Sequence, residues 1–540
     1  MNAPSRKDGQ RYLALWFPHL PSDRILRRRL GRGWRAAARC AAPAERPPLV
    51  VTRHEANTRR IAACDEAAAA LGLRPGLGLA DARARHPGLE AVEAEPEADR
   101  RLLAALADWC DRYTPLVALD PPDGLFLDIT GCAHLFGGEK ALLDDALAHL
   151  FHQGFDARAG LASTAGAAWA GARFALPPIG RGEEAEALAP LPLAALRLDQ
   201  AARRGLESVG LTTAGLVLAA PRAPLARRFG QDLLARLDQA LGRVDEPVSP
   251  RRPVAPLSAE RRLAEPVGRA EDIEQLTGRL AATLKDELER RGEGARRLEL
   301  ALFRVDGAVC RLAVGTARPL REPALVERLF RERIAALDGG LDTGCGFDLV
   351  RLSVCLAAPF RAAQADLAGD RGAGAESLAR FAERVGARLG AAALMRPQAM
   401  ESHWPERAVL RVPLVAALGK PAAAQRATQK TAQGAAPAAR PDGMARPLRL
   451  FDRPEPVAVT AAVPDGPPAR FRWRRVLYDV ARAEGPERLA PEWWRSGEEA
   501  ATRDYFRVED AAGRRYWLFR EGLYGTAGPA PRWFLHGLFA

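Results

Sequence analysis

Short apolar runs separated by polar stretches organise the first 190 residues. Tyr12–Trp16 (YLALW), Pro48–Thr52 (PLVVT) and Leu125–Ile129 (LFLDI) each read as a buried strand. Asp65–Leu71 (DEAAAAL) is Ala-rich and stops at Gly72, the pattern of a helix and its cap. Gly160–Ala175 (GLASTAGAAWAGARFA) begins as a strand and continues as a small-residue helix. Strands and helices in this mixed order predict an α+β fold. From about Leu191 to Pro247 the pattern turns wholly helical, with Gly210 between two helical stretches. A second α/β pattern runs from about Arg262 to Phe360. It comprises a helix near Glu271–Arg290, strands at Arg297–Val305 and Ala308–Val314, a helix near Pro323–Leu337 and a strand near Phe347–Leu356. That order predicts a small split βαβ sheet.

The pattern then breaks. Residues 419–446 are rich in Ala, Gln, Thr, Gly and Pro and nearly free of large apolar side chains, so they predict a disordered linker. Composition shifts sharply after it. Residues 471–540 hold Trp473, Trp493, Trp494, Trp517 and Trp533, five of the 10 tryptophans, together with Tyr478, Tyr505, Tyr516 and Tyr524. Such a stretch can pack a small module of its own, and the same residue types dominate interface hot spots.

The 540 residues suffice for roughly three to five domains. With 48% hydrophobic and 27% charged residues, the profile is that of a soluble globular protein. A net charge of +12 suits a polyanionic partner such as DNA, although a GC-rich genome also inflates Arg. The seven cysteines form no CxxC pair and have no accompanying histidine cluster. No metal site, no cofactor and no disulfide framework is expected, and a reducing, cytoplasmic compartment is. The opening MNAPSRKDGQRYLALWFP lacks the apolar stretch of a signal peptide, and no run of about 18 apolar residues predicts a membrane span.

Tyr113–Gly131 reads YTPLVALDPPDGLFLDITG. It resembles the palm motif of Y-family (translesion) DNA polymerases, in which a Tyr-Ser-Pro start leads through an Asp-Glu pair to a Leu-Asp-hydrophobic-Thr-Gly strand. Other segments agree in the same order. Ala67–Gly76 (AAAALGLRPG) is similar to the family's fingers segment, and Gly160–Ser163 (GLAS) to the strand before the last palm helix. Leu206–Pro221 and Phe229–Val248 are similar to the helix-hairpin-helix thumb and its exit. The resemblance covers about residues 10–360. It implies a palm over 10–190 with fingers inserted at about 22–85, a thumb over 191–250 and a little finger over 255–360. A clamp-peptide and helical segment over 361–418, the linker over 419–446 and an aromatic-rich docking module over 447–540 would follow.

The chemistry of the family does not carry over. Nucleotidyl transfer needs two Mg²⁺ ions on carboxylate ligands. The resemblance places the first-strand acidic position on Phe17, or on Trp16 if the register slips by one. A second acidic position falls on His19, and imidazole is a poor Mg²⁺ ligand; a strand-end or surface histidine is the plainer reading. In the palm motif Asp123 matches the Asp, as a relic or as a turn residue after Pro121-Pro122, but the paired Glu falls on Gly124. Triphosphate-gripping fingers positions align with Glu66 and Ala69, and the palm-helix lysine with Ala165 or Trp169. No catalytic and no metal-binding residue is therefore expected.

This pattern is similar to a noncatalytic branch of the Y family whose members serve as mutasome subunits. LALWFPHLPSDR, LRLFDRPEP (Leu448–Pro456) and Arg503–Ala540 carry that closer match. It implies an adaptor in SOS-type mutagenic synthesis, with DNA, the sliding clamp, an ImuA-like RecA-related protein and an error-prone C-family polymerase as partners. An active translesion polymerase and a clamp-independent DNA-binding repair protein are the alternatives. For DNA, the candidates are the hairpin turn Val209, Gly210 and Leu211 and the basic pairs Arg227-Arg228, Arg251-Arg252 and Arg296-Arg297. A simple helical turn and solvated faces are the plainer readings. For the clamp, Gln364, Asp366 and Leu367 (QADL) resemble a Gln-x-x-Leu peptide, with Ala368 where a bulky apolar residue is expected. An ordinary loop or helix start reads equally well there. Leu448–Phe451 (LRLF) is a second apolar candidate.

Overall fold

The computed structural model describes residues 9–40, 46–55, 57–360, 373–418, 445–461, 463, 465–496, 501–523 and 530–539. Two compact units emerge: a body up to Ala365, and a second unit from Asp366 onward that also takes Thr316–Arg318.

Among the described residues up to position 190 the strands are β1 (Tyr12–Trp16), β2 (Leu49–Glu55), β3 (Thr58–Cys64), β4 (Glu90–Glu93), β5 (Val117–Asp120), β6 (Gly124–Asp128) and β7 (Arg158–Ala162). The palm sheet has the order β5-β6-β1-β7. β1 is central because it is apolar on both faces: Leu13 and Leu15 pack with Trp109 and Leu106, while Tyr12 and Ala14 pack beneath the Ala-rich helix Ala165–Phe174. That helix approaches closely because its residues are small. A Cβ on Gly160 would lie 2.1 Å from the Ala168 carbonyl oxygen. β2, β3 and β4 form a separate three-stranded fingers sheet in the order β3-β2-β4. The helix Glu66–Ala70 belongs to it, with Asp65 accepting from the Ala68 amide as its N-cap and Gly72 at φ +78 after it. The fully buried Asp23 ties fingers to palm, taking Arg35 at 2.7 Å and the Asp156 amide at 3.0 Å.

Short helices at Gln200–Glu207, Ala214–Ala219, Arg222–Phe229 and Gln231–Ala240 make the thumb around Leu206, Val217, Leu225 and Leu237. The little finger is β8 (Leu257–Val267), the helix Ala270–Arg290, β9 (Glu293–Arg304), β10 (Val309–Leu320), the helix Pro323–Ala335 and β11 (Phe347–Pro359), with strand order β10-β9-β11-β8. The split βαβ order is as the pattern predicts, with the addition of β8. That edge strand (LSAERRLAEPV) is mostly exposed and so shows no apolar alternation.

The second unit holds the helix Ala373–Leu389, a hairpin of β12 (Met395–Ala399) and β13 (Val409–Pro413), and a closed six-stranded barrel. The barrel strands are β14 (Arg449–Ala461), β15 (Pro468–Trp473), β16 (Val476–Leu489), β17 (Arg503–Asp510), β18 (Arg515–Glu521) and β19 (Arg532–Leu538), and β14 pairs with β19 to close it. Closure removes the exposed edges a six-stranded meander would otherwise leave. One side of the wall is lined by Phe471, Phe506, Leu518 and Leu535, the other by Tyr505, Trp517 and Phe519.

His536 belongs to that second aromatic group. It is fully buried, shares a 2.8 Å hydrogen bond through Nδ1 with the Tyr505 hydroxyl, and stacks on Trp517. Burial, aided by Arg503 and Arg446, pulls its pKa from 6.5 down to about 4, against the pull of Glu406. A histidine kept neutral in the folded state stabilises it fully above pH 6.5, and that contribution is lost as the pH falls toward 4. Thermal melts of the full chain should therefore lose stability over this window, by on the order of 3 kcal/mol from this group. His536→Gln should flatten that part of the profile.

Candidate functional site

The site that the palm motif marks lies at the end of β1. Trp16 pairs with Gly124 in the β1–β6 register, which sets its side chain beside the β5–β6 turn. The Trp16 indole N–H donates to Asp123 Oδ2 at 3.0 Å. Arg173, from the small-residue helix, donates to Asp123 Oδ1 at 3.0 Å and reaches Asp120 Oδ2 at 3.4 Å. Trp169, one turn earlier, donates its indole N–H to Asp120 Oδ2 at 2.8 Å. Arg197 lies 3.9 Å from Asp120 Oδ1 and donates to Glu246 at 2.6 Å. The Arg173 guanidinium also rests on the Trp169 ring, 4.0 Å from its centroid.

Two carboxylates are thus met by two guanidiniums and two indole N–H groups. Burial pushes the Asp123 carboxyl above its ordinary value, partly offset by the Trp16 hydrogen bond and by Arg173. Burial likewise lowers Arg173, opposed by Asp123 and Asp120. A divalent ion would have to displace Arg173 and compete for oxygens that already accept from Arg173, Trp16 and Trp169. A Glu at position 124 has no room either, since its Cβ would sit 2.8 Å from Asp120 Oδ2 and 3.1 Å from the Asp120 carbonyl oxygen. Among the described residues no group of three His, Cys, Asp or Glu side chains could hold a metal ion.

Several expected positions move. Phe17 does not face Asp123. It is fully buried on the opposite side, edge-to-face with Phe155 at 5.9 Å, and the residue against Asp123 is Trp16. His19 is neither at this centre nor on the surface. It is buried, with Nδ1 2.7 Å from the Cys64 carbonyl oxygen, where it joins palm to fingers. Asp123 does sit in the turn, but as an ion-pair partner too. Glu66 is exposed and spends its charge on Arg35 at 3.1 Å. Sequence reasoning missed Asp120, Arg173 and Arg197, because no motif marks an arginine that answers a carboxylate 50 residues away.

Gly210 has φ +82 and lies between the helices Gln200–Glu207 and Ala214–Ala219, with Val209 39% exposed and Leu211 packed against the thumb core. Arg227 and Arg228 are exposed in the last turn of Arg222–Phe229. The other pairs do not act as pairs. Arg251 and Arg252 are both spent on Asp108, at 2.8 and 2.9 Å, and anchor the chain that leads into the little finger. Arg296 and Arg297 are neighbours on β9, so their side chains leave opposite faces; Arg297 is exposed and Arg296 half-buried.

Gln364, Asp366 and Leu367 lie outside the described residues. Leu448–Phe451 is not a detached peptide. Leu448 is 87% exposed, but Leu450 and Phe451 belong to β14 and pack into the barrel. The aromatic residues divide the same way. Trp473, Trp517 and Trp533 pack in the barrel wall, whereas Trp493 and Trp494 are 76% and 59% exposed.

Residues 38–173 match the model of the impB/mucB/samB family. Protein ImuB of Caulobacter vibrioides (strain NA1000 / CB15N) is 44% identical over 483 residues, covering 87% of this chain and 100% of that protein. DNA polymerase IV of Shewanella woodyi is 24% identical over 253 residues, covering 46% of this chain and 70% of the polymerase. DinB from Sulfolobus solfataricus overlays on 64% of this chain and 98% of its own with a TM-score of 0.36 and 13% identity. An insertion ternary complex of Dbh DNA polymerase gives 0.37 and 14%, over 64% and 99%. Those overlays are too loose to pair residues; the full-length match to the Caulobacter protein is not, and by it the chain belongs to the ImuB family.

Proposed function

We propose that this chain is a noncatalytic, DNA-binding adaptor in damage-induced mutagenic synthesis. One observation carries the reading: Asp120 and Asp123, at the place a polymerase of this fold would bind metal, are neutralised from within by Arg173 and Arg197. A protein whose centre already contains its counter-ions serves DNA synthesis by holding components together. The exposed Arg227 and Arg228 and the Gly210 turn, all in the thumb, supply sequence-independent phosphate contacts. The QADL peptide would engage the sliding clamp. The exposed Trp493-Trp494 pair, on the barrel-bearing unit, would dock the ImuA-like protein or the error-prone C-family polymerase.

Primer extension with the full chain and Mg²⁺ is expected to show no incorporation. Incorporation above background that disappears on Asp123→Ala would overturn the adaptor reading. Gly124→Glu should neither restore Mg²⁺ binding nor incorporation, and should lower the melting temperature through its clash with Asp120. Arg173→Ala leaves two half-buried carboxylates short of a counter-ion and should cost about 3 kcal/mol in denaturant titrations.

DNA affinity should fall steeply between about 50 and 200 mM salt, and Arg227→Glu with Arg228→Glu should weaken it and flatten the salt slope. A curve insensitive to both would count against the thumb contact. Gln364→Ala with Leu367→Ala should weaken clamp capture, and Ala368→Phe should strengthen it.

Trp493→Ala with Trp494→Ala changes no packed residue of the barrel, so melting should be unaltered while partner capture and damage-induced mutagenesis are lost. Retention of both would move the docking surface elsewhere.

A further inference from the structure

Most arginines of the barrel are spent on carboxylates: Arg470 on Asp479, Arg488 and Arg520 on Asp504, Arg515 on Glu509. Arg449, Arg453, Arg472 and Arg475 are different. They are exposed and have no hydrogen-bond or ion-pair partner among the described residues. Two of them, Arg472 and Arg475, fall on one hairpin, β15–β16.

That hairpin turns in an unusual way. Trp473 pairs with Val476, so Arg474 and Arg475 make the whole turn. Their φ angles are +47 and +71, the pattern of a two-residue turn normally built from Asn-Gly. Arginine has no conformational reason to stand there, and backbone strain of this kind collects at sites that grip a ligand. Arg474 is held: its guanidinium meets both Glu455 oxygens, at 2.6 and 3.0 Å, and lies 4.8 Å from the Trp473 ring. Nothing holds Arg475. Beneath the turn the ribbon is rigid. Phe471 is fully buried and stacks on Tyr478 at 4.9 Å, and both rings pack against Tyr516. The outer face is open. Arg472 lies directly opposite Leu477, which is 55% exposed, and Val476 is 52% exposed. The nearby acids are already paired, Glu455 with Arg474 and Asp479 with Arg470, so the tip keeps two unanswered guanidiniums.

Guanidinium forks match phosphate oxygens in pairs. A two-stranded ribbon is narrow enough to enter the major groove of a duplex, where Val476 and Leu477 would meet sugars and thymine methyls. A single strand would need exposed rings to stack on, but Trp473 and Tyr478 are packed with Phe451 and Phe471. We propose that the tip of the β15–β16 hairpin is a DNA contact of the barrel-bearing unit, laying Arg472 and Arg475 on the phosphates of a duplex. It is separate from the thumb contact and does not depend on the adaptor reading.

Anisotropy titration of the full chain with a mixed-sequence duplex, between about 50 and 200 mM salt, tests it. Arg472→Glu with Arg475→Glu should weaken binding about fivefold or more and flatten the slope of log affinity against log salt by about 2. Arg475→Gly relieves the positive φ, so it should keep or raise the melting temperature while still weakening duplex binding. A merely structural arginine would not separate those two readouts. Arg227→Glu with Arg228→Glu should add its own loss to that of the hairpin variant. If the hairpin variant binds the duplex as the parent does, the proposal is overturned, and a loss confined to the Arg227 and Arg228 variant leaves the thumb contact standing alone. If the hairpin variant fails to fold, Arg475→Gly decides by itself, and unchanged affinity overturns the proposal. Duplex binding that is retained while capture of a polyglutamate peptide is lost assigns the tip to an acidic protein and overturns it too.

Discussion

Asp120 and Asp123, in the β5–β6 turn, are both reached by one Arg173 nitrogen, and half-buried like charges cannot be left unanswered. In this chain the answer is covalently part of the protein. Arg173 bridges them, Arg197 stands behind, and the indoles of Trp16 and Trp169 donate to Asp123 and Asp120. The elements that supply these groups are β1, the β5–β6 turn, the palm helix Ala165–Phe174 and the start of the thumb. The arrangement therefore ties the palm to the start of the thumb.

A bound metal ion can leave its carboxylates; an arginine built into the chain cannot. Buried pairs of this kind add little net stability relative to an apolar core, but removing one partner is expensive. The palm is thereby committed to a single arrangement. The same use of arginine recurs at the junction with the little finger, where Asp108 and Asp111 collect Arg251, Arg252, Arg311 and the backbone contact of Arg351. Much of the net positive charge is thus consumed inside the body. What is left for a polyanion is concentrated at fewer points than the sequence suggests.

The barrel-bearing unit solves a different problem. Its aromatic residues could serve as core or as docking surface, and composition does not distinguish the two. The closed barrel buries Trp517, Tyr505 and Phe519 on one side of its wall and Phe471, Phe506 and Tyr516 on the other. Trp493 and Trp494 lie on the four-residue helix between β16 and β17, which has no wall to pack into. Most of the aromatic excess is therefore structural, and the exposed remainder is narrow.

The sequence by itself determined the body's elements and their order. β1 occupies the five residues its apolar run marks, Asp65 and Gly72 bracket their helix, and the little finger follows the predicted alternation, because apolar periodicity and caps are local signals. It also determined that Gly124 supplies no carboxylate. It did not reveal β8, whose face is mostly exposed, or the barrel, whose strands are laced with arginine and glutamate. Only the tertiary structure decided that Trp16 rather than Phe17 meets Asp123, since a one-residue shift in a strand exchanges its two faces. Likewise only the fold decided which arginines stay free. Arg252 and Arg297 are indistinguishable as neighbours of another arginine in sequence; one meets Asp108 across 144 positions and the other has no ion-pair partner among the described residues, because an ion pair depends on distance in space.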